Sequence, residues 1–116
     1  MRKVEELDVF KLSHSLAVEI FEITKTFPGE ERFGLISQMR RAAYSVPMNL
    51  MEGSHRLSSK EYRQFVGISK GSTGEMKYQL LLARDLGYIT EGPHSDLHSK
   101  YERVSQMLTK LAKSLE

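Results

Sequence analysis

The sequence contains no cysteine, and this absence excludes several kinds of chemistry at once. Disulfides, thiol nucleophiles and cysteine-ligated zinc are all ruled out, and the composition agrees with a reducing compartment. The chain also lacks a long apolar run. Its first residues already include Glu5, Glu6 and Asp8, so they do not resemble a signal peptide or a membrane span. We therefore expect a cytoplasmic protein.

The sequence also lacks strand-like alternation, internal repeats, low-complexity runs and linkers. With 116 residues, 40% of them hydrophobic and 28% charged, it has the composition of an ordinary globular protein. We expect one domain spanning residues 1–116. The net charge of +2 permits binding to nucleic acid but does not require it, so the placement of the charges matters more than their sum.

Helical periodicity appears in four segments separated by short breaks. In the first, apolar residues recur every three or four positions from Val9 to Phe27, and Asp8 is a candidate N-cap. Pro28 and Gly29 follow, and the residue before a proline is pushed out of the α region. The pattern predicts that the first helix ends at Phe27.

The second segment has a proline inside a helical pattern. This helix is predicted to begin between residues 32 and 35 and to end near His55. Pro47 has no amide to bond the carbonyl of Ala43 and crowds that carbonyl, so we expect a bend in one continuous helix.

The third and fourth helices carry clear end signals. Ser58 and Glu61 form a capping box at the start of the third helix, which is predicted to end near Leu86, before a left-handed Gly87. Thr90 is a candidate cap for the fourth helix. The apolar seam of that helix runs in alternating steps of four and three through Leu97, Tyr101, Val104, Leu108, Leu111 and Leu115. The sequence predicts an all-α, antiparallel up-down-up-down four-helix bundle with a proline-bent second helix.

Residues 8–115 resemble the four-helix bundle proteins named for the intervening sequences of bacterial 23S rRNA genes, sometimes labelled ribosomal protein S23. The most specific matches lie in the second helix, at Arg40-Arg41-Ala42-Ala43, Ser45, Pro47, Asn49 and Glu52-Gly53. Further matches are Phe27-Pro28, Gly34-Leu35, Gln38, Ser59-Lys60-Glu61, Gly71-Ser72, Glu75 and Gly87-Tyr88. The resemblance implies a homo-oligomer, typically a pentamer, similar to the basic accessory protein of diversity-generating retroelements. It implies no catalytic activity.

The second helix is apolar on more than one side. Its core stripe is accompanied by Tyr44, Met48 and Met51 on other faces. Isolated exposed apolar residues are common on folded proteins, but three large ones within two turns form a patch. We interpret these three residues as an oligomer interface.

Charged and amide residues of the second and third helices suggest a structural polar network, made of Arg40, Arg41, Asn49, Glu52 and Glu75. Arg41 and Glu52 lie three turns apart, so a residue of another helix, Glu75, would have to bridge them. Asn49 joins this network or bonds the carbonyl that Pro47 leaves free. Because no histidine, metal-ligand spacing or phosphate-binding loop accompanies these groups, we expect neither an enzyme nor a cofactor.

Two weaker patterns favour ordinary structural explanations. His94 and His98 are four residues apart, but no third ligand is placed nearby, so we expect solvent-exposed histidines and no metal site. Gly67, Gly71 and Gly74 form a small-residue stripe that close helix packing would explain.

Basic residues provide the remaining indication of a partner. The candidate nucleic-acid-binding residues are Arg56, Lys60, Arg63, Lys70 and Lys77, and further cations line the fourth helix at Lys100, Arg103, Lys110 and Lys113. Such fields attract phosphate, although interspersed acidic residues are also typical of a solvated face. Our functional hypothesis is a non-enzymatic, homo-oligomeric adaptor for structured RNA or other nucleic acid. The alternative is a protein-interaction scaffold without a nucleic-acid partner.

Overall fold

The computed structural model describes residues 3–116, which form four helices and no strand. The helices are α1 (Asp8–Thr24), α2 (Leu35–Ser54), α3 (Ser59–Asp85) and α4 (Glu91–Ser114), with single 3₁₀ turns at Val4–Glu6 and Gly29–Glu31. None of the helices in residues 3–116 combines the length and apolarity needed to cross a membrane. The predicted all-α class is confirmed.

Neighbouring helices pair in opposite directions. Late in α2, Gly53 lies beside Phe65 in the second turn of α3, whereas the earlier Val46 accepts a hydrogen bond from the later Ser69 at 2.9 Å. The same reversal relates α1 to α2 and α3 to α4, in the pairs Thr24–Arg40, Phe10–Met51, Lys77–Glu102 and Arg63–Ala112. These pairings describe an antiparallel bundle in which each helix packs beside the one before it.

The bundle core follows the predicted helical stripes. The largest side chains with almost no exposed surface are Leu16, Ile20, Met39, Val46, Leu50, Val66, Met76, Leu80, Leu97, Tyr101, Val104 and Leu108. Burial of each large aliphatic side chain contributes about 1.5 to 3 kcal/mol before the entropy of ordering the chain is subtracted. Leu111 and Leu115, at the end of the α4 seam, are only partly buried.

Most helix ends were predicted well, but those of α1 were not. Asp8 is the first helical residue rather than the N-cap, and Leu7 occupies the cap position without a side-chain hydrogen bond. The helix ends at Thr24, three residues before Phe27, where i-to-i+3 bonds from the amides of Lys25, Thr26 and Phe27 replace the α pattern. Phe27 is nevertheless buried, in contact with the ring of Tyr88.

The signals around α3 are confirmed. The amide of Glu61 donates to the hydroxyl of Ser58 at 3.1 Å, and Gly87 has a φ of 79°. Thr90 takes the cap position of α4 but makes no capping hydrogen bond. Helix α2 continues through Pro47 from Leu35 to Ser54. The bend at Pro47 stays a prediction.

Candidate functional surfaces

The outer face of α1 and α2 carries an apolar depression. Tyr44 and Met48 are 43% and 51% exposed, and Met51 is partly buried beside them. Phe10 and His14 of α1 and Pro47 and Glu52 of α2 also line it. The structure therefore brings together the three residues predicted to form an oligomer interface.

This depression exists because α2 carries two apolar stripes. Met39, Val46 and Leu50 lie on one side of the helix and are fully buried in the core. Tyr44 and Met48 project from the opposite side, where no other element of residues 3–116 covers them. Helix α2 thus presents apolar surface that its own subunit does not use.

The buried polar contacts between α2 and α3 centre on Ser45. The side-chain amide of Asn49 donates to the carbonyl of Ser45 at 2.8 Å and to its hydroxyl at 2.9 Å. The hydroxyl of Ser72 donates to the same hydroxyl at 3.0 Å. Asn49 therefore belongs to a polar link between the helices, and the proposal that it bonds the carbonyl freed by Pro47 was wrong.

Arg40 points toward α1. Its Nε donates to the hydroxyl of Thr24 at 2.9 Å and its Nη2 donates to the carbonyl of Phe21 at 3.2 Å. The guanidinium also lies 4.9 Å from the centre of the Phe21 ring, a cation–π distance. Arg40 joins α2 to the end of α1 and takes no part in the contacts with α3.

Arg41 and Glu75 line a shared cleft of about 220 Å³ between α2 and α3, together with Ile68 and Ser72. Both charged side chains are exposed, and no hydrogen bond or ion pair joins them to each other or to Glu52 within residues 3–116. Glu52 lies farther along α2, at the apolar depression. The single predicted network is therefore split: Arg40 and Asn49 are bonded, whereas the other three members have no partner among the described residues. The reason is that Arg41 and Glu75 stay exposed in the cleft that they line, and Glu52 is exposed at the apolar depression.

Three of the candidate nucleic-acid-binding residues line the groove between α3 and α4. Lys60 and Arg63 border its end near the C-terminus, and Arg63 and Lys70 continue along it beside Lys113 of α4. Glu116 is the one carboxylate that borders this stretch within the described residues. This set, Lys60, Arg63, Lys70 and Lys113, is called the basic groove below.

Two cations of the groove also make hydrogen bonds across it. Arg63 donates to the carbonyl of Ala112 at 3.2 Å and contacts Glu116 at 3.4 Å. Lys70 donates to the hydroxyl of Ser105 at 2.8 Å. These bonds hold the charged groups in a row along the groove.

The other two candidates are placed differently. Lys77 continues the row but pairs with Glu102 at 2.6 Å, and this hydrogen bond and the charge of Lys77 lower the pKa of Glu102. Arg56 lies in the α2–α3 loop, where it pairs with Glu61 at 3.1 Å and covers the ring of Phe65. The structure does not bring Arg56 into the groove.

Two structural interpretations of the sequence were wrong. His94 is only 7% exposed, because it begins the core-facing seam that continues through Leu97, whereas an exposed side chain was expected. Gly67, Gly71 and Gly74 do not serve packing within the chain: they are exposed, and a Cβ added to any of them would meet no atom within 4 Å. The heptad spacing from His94 to Leu97 and Tyr101 could have revealed the first error.

Comparison with known proteins agrees with the family resemblance found in the sequence. A family model described as 23S rRNA-intervening sequence protein matches residues 5–110. A similar solved structure is that of a protein of unknown function from the S23 ribosomal protein family of Bacteroides thetaiotaomicron VPI-5482. The TM-score is 0.83 at 23% identity, with 90% of this chain and 95% of that chain covered, so the likeness supports the fold. No curated protein sequence matches the chain.

Proposed function

The chain belongs to the 23S rRNA-intervening sequence protein family, and from this premise we propose that it is a non-enzymatic adaptor that assembles with itself and binds structured RNA. The basic groove is the observation that carries the RNA part of the proposal. Four cations face one carboxylate along the contact of α3 and α4. A row of cations along a helix pair suits contact with a nucleic-acid backbone, because phosphate contacts require charge but no base-specific geometry.

The existing contacts of these cations do not prevent phosphate binding. In the Arg63–Glu116 pair, the side chains are 49% and 64% exposed. Solvated pairs of this kind contribute little to stability, so a phosphate can replace the carboxylate at small cost. Lys70 bonds a neutral hydroxyl rather than a carboxylate. The groove is therefore preorganised for an anionic backbone.

Self-assembly would enlarge this field. Each chain carries a net charge of only +2, but a closed ring repeats the basic groove once per subunit. The family resemblance suggests five subunits. Repeated grooves would raise the local positive potential and favour shape-dependent contact with an A-form backbone over reading of a base sequence.

Salt dependence of binding tests the RNA proposal. We expect the affinity for a structured RNA, measured by fluorescence anisotropy at about 50 and 200 mM salt, to fall with a slope of about −0.7 to −0.9 per phosphate contact. The variant Lys70→Glu/Lys113→Glu reverses two charges of the groove that have no acidic partner within residues 3–116. It should weaken binding to every RNA tested and leave the oligomer intact.

A charge-matched control lies elsewhere on the surface. Lys11→Glu/Arg32→Glu changes the net charge equally at two exposed sites of α1 and the α1–α2 connection. The control should bind RNA much more tightly than the groove variant. Equal loss in both variants would show a dependence on net charge alone, and no binding at about 50 mM salt would eliminate the adaptor proposal.

A second candidate function is supported by the apolar depression at Tyr44 and Met48. If the chain assembles but does not bind RNA, we propose a protein-interaction scaffold instead. Light scattering tests the assembly itself: the mass should be a multiple of 13.3 kDa, and Met48→Asp or Tyr44→Asp should lower it. A wild-type monomer at tens of micromolar would contradict both functions, since each requires the oligomer.

A further inference from the structure

The outer side of α2 carries a stripe that has no partner within residues 3–116. Arg41, Tyr44, Met48 and Glu52 follow helical spacing on the side opposite the core. The two apolar residues lie in the middle, with a cation on one side and a carboxylate on the other. Neither charged group makes a hydrogen bond or ion pair with another described residue. We call these four residues the α2 stripe.

The outer side of α3 has the opposite shape. Gly67, Gly71 and Gly74 lie along it, and each would cost about 1 kcal/mol relative to alanine in an exposed helix. This cost is not offset by packing within the chain, since the space above all three glycines is open. Lys60 precedes this flat strip and Glu75 follows it, and both are exposed and unpaired within residues 3–116. We call these five residues the α3 strip.

The charges of the two faces are complementary in only one direction. If α2 of one copy lies antiparallel to α3 of another, Arg41 approaches Glu75, while Glu52 approaches Lys60. In the parallel direction, Arg41 would meet Lys60 and the two carboxylates would meet each other, which is unfavourable. The observed charge pattern therefore selects the antiparallel direction.

The dimensions also match. Arg41 and Glu52 are eleven residues apart, or about 16 Å along a helix, and Lys60 and Glu75 are fifteen apart, or about 22 Å. The difference of about 6 Å is within the combined reach of the four long side chains. Between the charges, the bulky Tyr44 and Met48 face glycines, where the absence of side chains lets two helices approach closely.

We propose that the α2 stripe of one copy docks antiparallel on the α3 strip of a second copy, with Arg41 opposite Glu75 and Glu52 opposite Lys60. This inference rests on the self-assembly in the proposed function and assigns its interface. Because the two faces differ, every copy offers α2 to one neighbour and α3 to another. Such head-to-tail contacts close into a ring when the rotation permits.

Charge reversal with rescue tests the pairing. Arg41→Glu and Glu75→Arg should each weaken assembly by about tenfold or more, because each places like charges opposite one another. The double variant restores opposite charges and should recover most of the affinity. Sedimentation velocity over a concentration series measures the dissociation constants of the three variants and of the wild-type chain. Failure of the double variant to recover assembly, after both single variants lose it, would overturn the pairing.

A glycine substitution tests the close approach independently. Gly71→Leu should abolish assembly, since its side chain would stand between the two helices. Circular dichroism should show retained helix, because Gly71 is exposed and an added Cβ meets no atom within 4 Å. Gly92→Leu is the matched control, at another exposed helical glycine with open space around it, and should assemble normally.

The outcomes separate this inference from the proposed function. If the wild-type chain stays monomeric at tens of micromolar, self-assembly and this interface both fail. If it assembles but Gly71→Leu and the two charge reversals assemble equally well, self-assembly stands and this interface is wrong. Lys60 belongs to both the basic groove and the α3 strip, so RNA binding is tested at Lys70 and Lys113, which belong to neither face and are changed in separate variants.

Discussion

Helices α2 and α3 use the same residue types in opposite ways on their inner and outer faces. Gly53, on the inner face, is buried, and a Cβ there would lie 2.8 Å from the Cβ of Phe65. Gly71, on the outer face, has nothing within 4 Å of its own added Cβ. The inner glycine permits contact within the subunit. The outer glycine lowers helix propensity and makes no such close contact within the described residues. Its role is therefore not explained by packing inside the chain.

Polar residues show the same division. Asn49, on the inner face, is 8% exposed and bonded to Ser45, whereas Arg41 and Glu52, on the outer face, are unpaired in the described chain. A partner within the fold stabilises an inner polar group such as the Asn49 amide, because burying an unbonded amide costs about 1 to 3 kcal/mol. Outer charged groups face no such requirement and remain available to another molecule. The comparison separates residues that specify the fold from residues whose charges remain free to contact another molecule.

The largest effect is expected at the inner glycine. Gly53→Ala should lower the free energy of unfolding by about 1 to 3 kcal/mol, because overpacking against Phe65 and Tyr62 exceeds the gain in helix propensity. Urea denaturation of a variant shown to be monomeric measures the change. A variant as stable as the unmodified chain would mean that α2 and α3 separate without cost and that the inner face is not tightly packed.

The fold was predictable because its signals are local. Helical stripes and the Ser58 cap each depend on a few neighbouring residues, and the structure follows them. The C-terminal end of α1 was misjudged because the apolar periodicity continues to Phe27, which is buried although it lies three residues beyond the helix. The error at His94 arose from treating two histidines as a pair instead of extending the α4 seam backward by one turn.

The candidate surfaces were predictable only in part. The apolar excess of α2 is visible in its spacing, and Tyr44 and Met48 do lie together. In contrast, the different contacts of Arg40 and Arg41 depend on which neighbouring helix each side chain faces. That orientation follows only from the packing of the whole bundle. Lys113 joins the basic groove from α4, fifty residues beyond Arg63, so only the tertiary structure reveals their proximity.

An intermediate effect is expected for the inner polar link. Asn49→Ala should lower the free energy of unfolding by about 1 to 2 kcal/mol, since the buried amide is removed and the partly buried hydroxyl of Ser45 loses one of its hydrogen bonds. Arg41→Ala, on the outer face of the same helix, should change it by no more than about 0.5 kcal/mol in a monomeric background. Thermal or urea unfolding compares the two. A larger loss in Arg41→Ala would place Arg41 in a buried network and reverse our assignment of the faces.

A smaller effect of opposite sign is expected on the outer face of α3. Gly71→Ala should raise the free energy of unfolding of the monomeric chain by up to about 1 kcal/mol, because alanine favours the helix and its methyl group meets no other atom. Urea unfolding beside Gly53→Ala makes a direct comparison, as the two substitutions are chemically identical. If both variants are destabilised, the outer position is constrained within the subunit and the open space above Gly71 is not real.

The smallest effect is expected at the rim between the inner and outer faces, where Lys77 meets Glu102. The folded-state pKa of Glu102 lies below its ordinary 4.5, first because of the hydrogen bond from Lys77 and then because of its charge. A lowered carboxyl pKa contributes stability above the unfolded value, and this contribution is lost as the pH falls through the folded value. The stability difference between the unmodified chain and Lys77→Gln should therefore be present at about pH 6 and shrink toward about pH 3. It should also diminish in high salt, because both groups are accessible to solvent.

Urea unfolding at several pH values measures the difference, with Lys110→Gln as a control at an exposed lysine that has no ion pair within residues 3–116. A pH-independent difference would show that Lys77 acts through the packing of its aliphatic chain between α3 and α4, which would move this residue from the rim to the inner face.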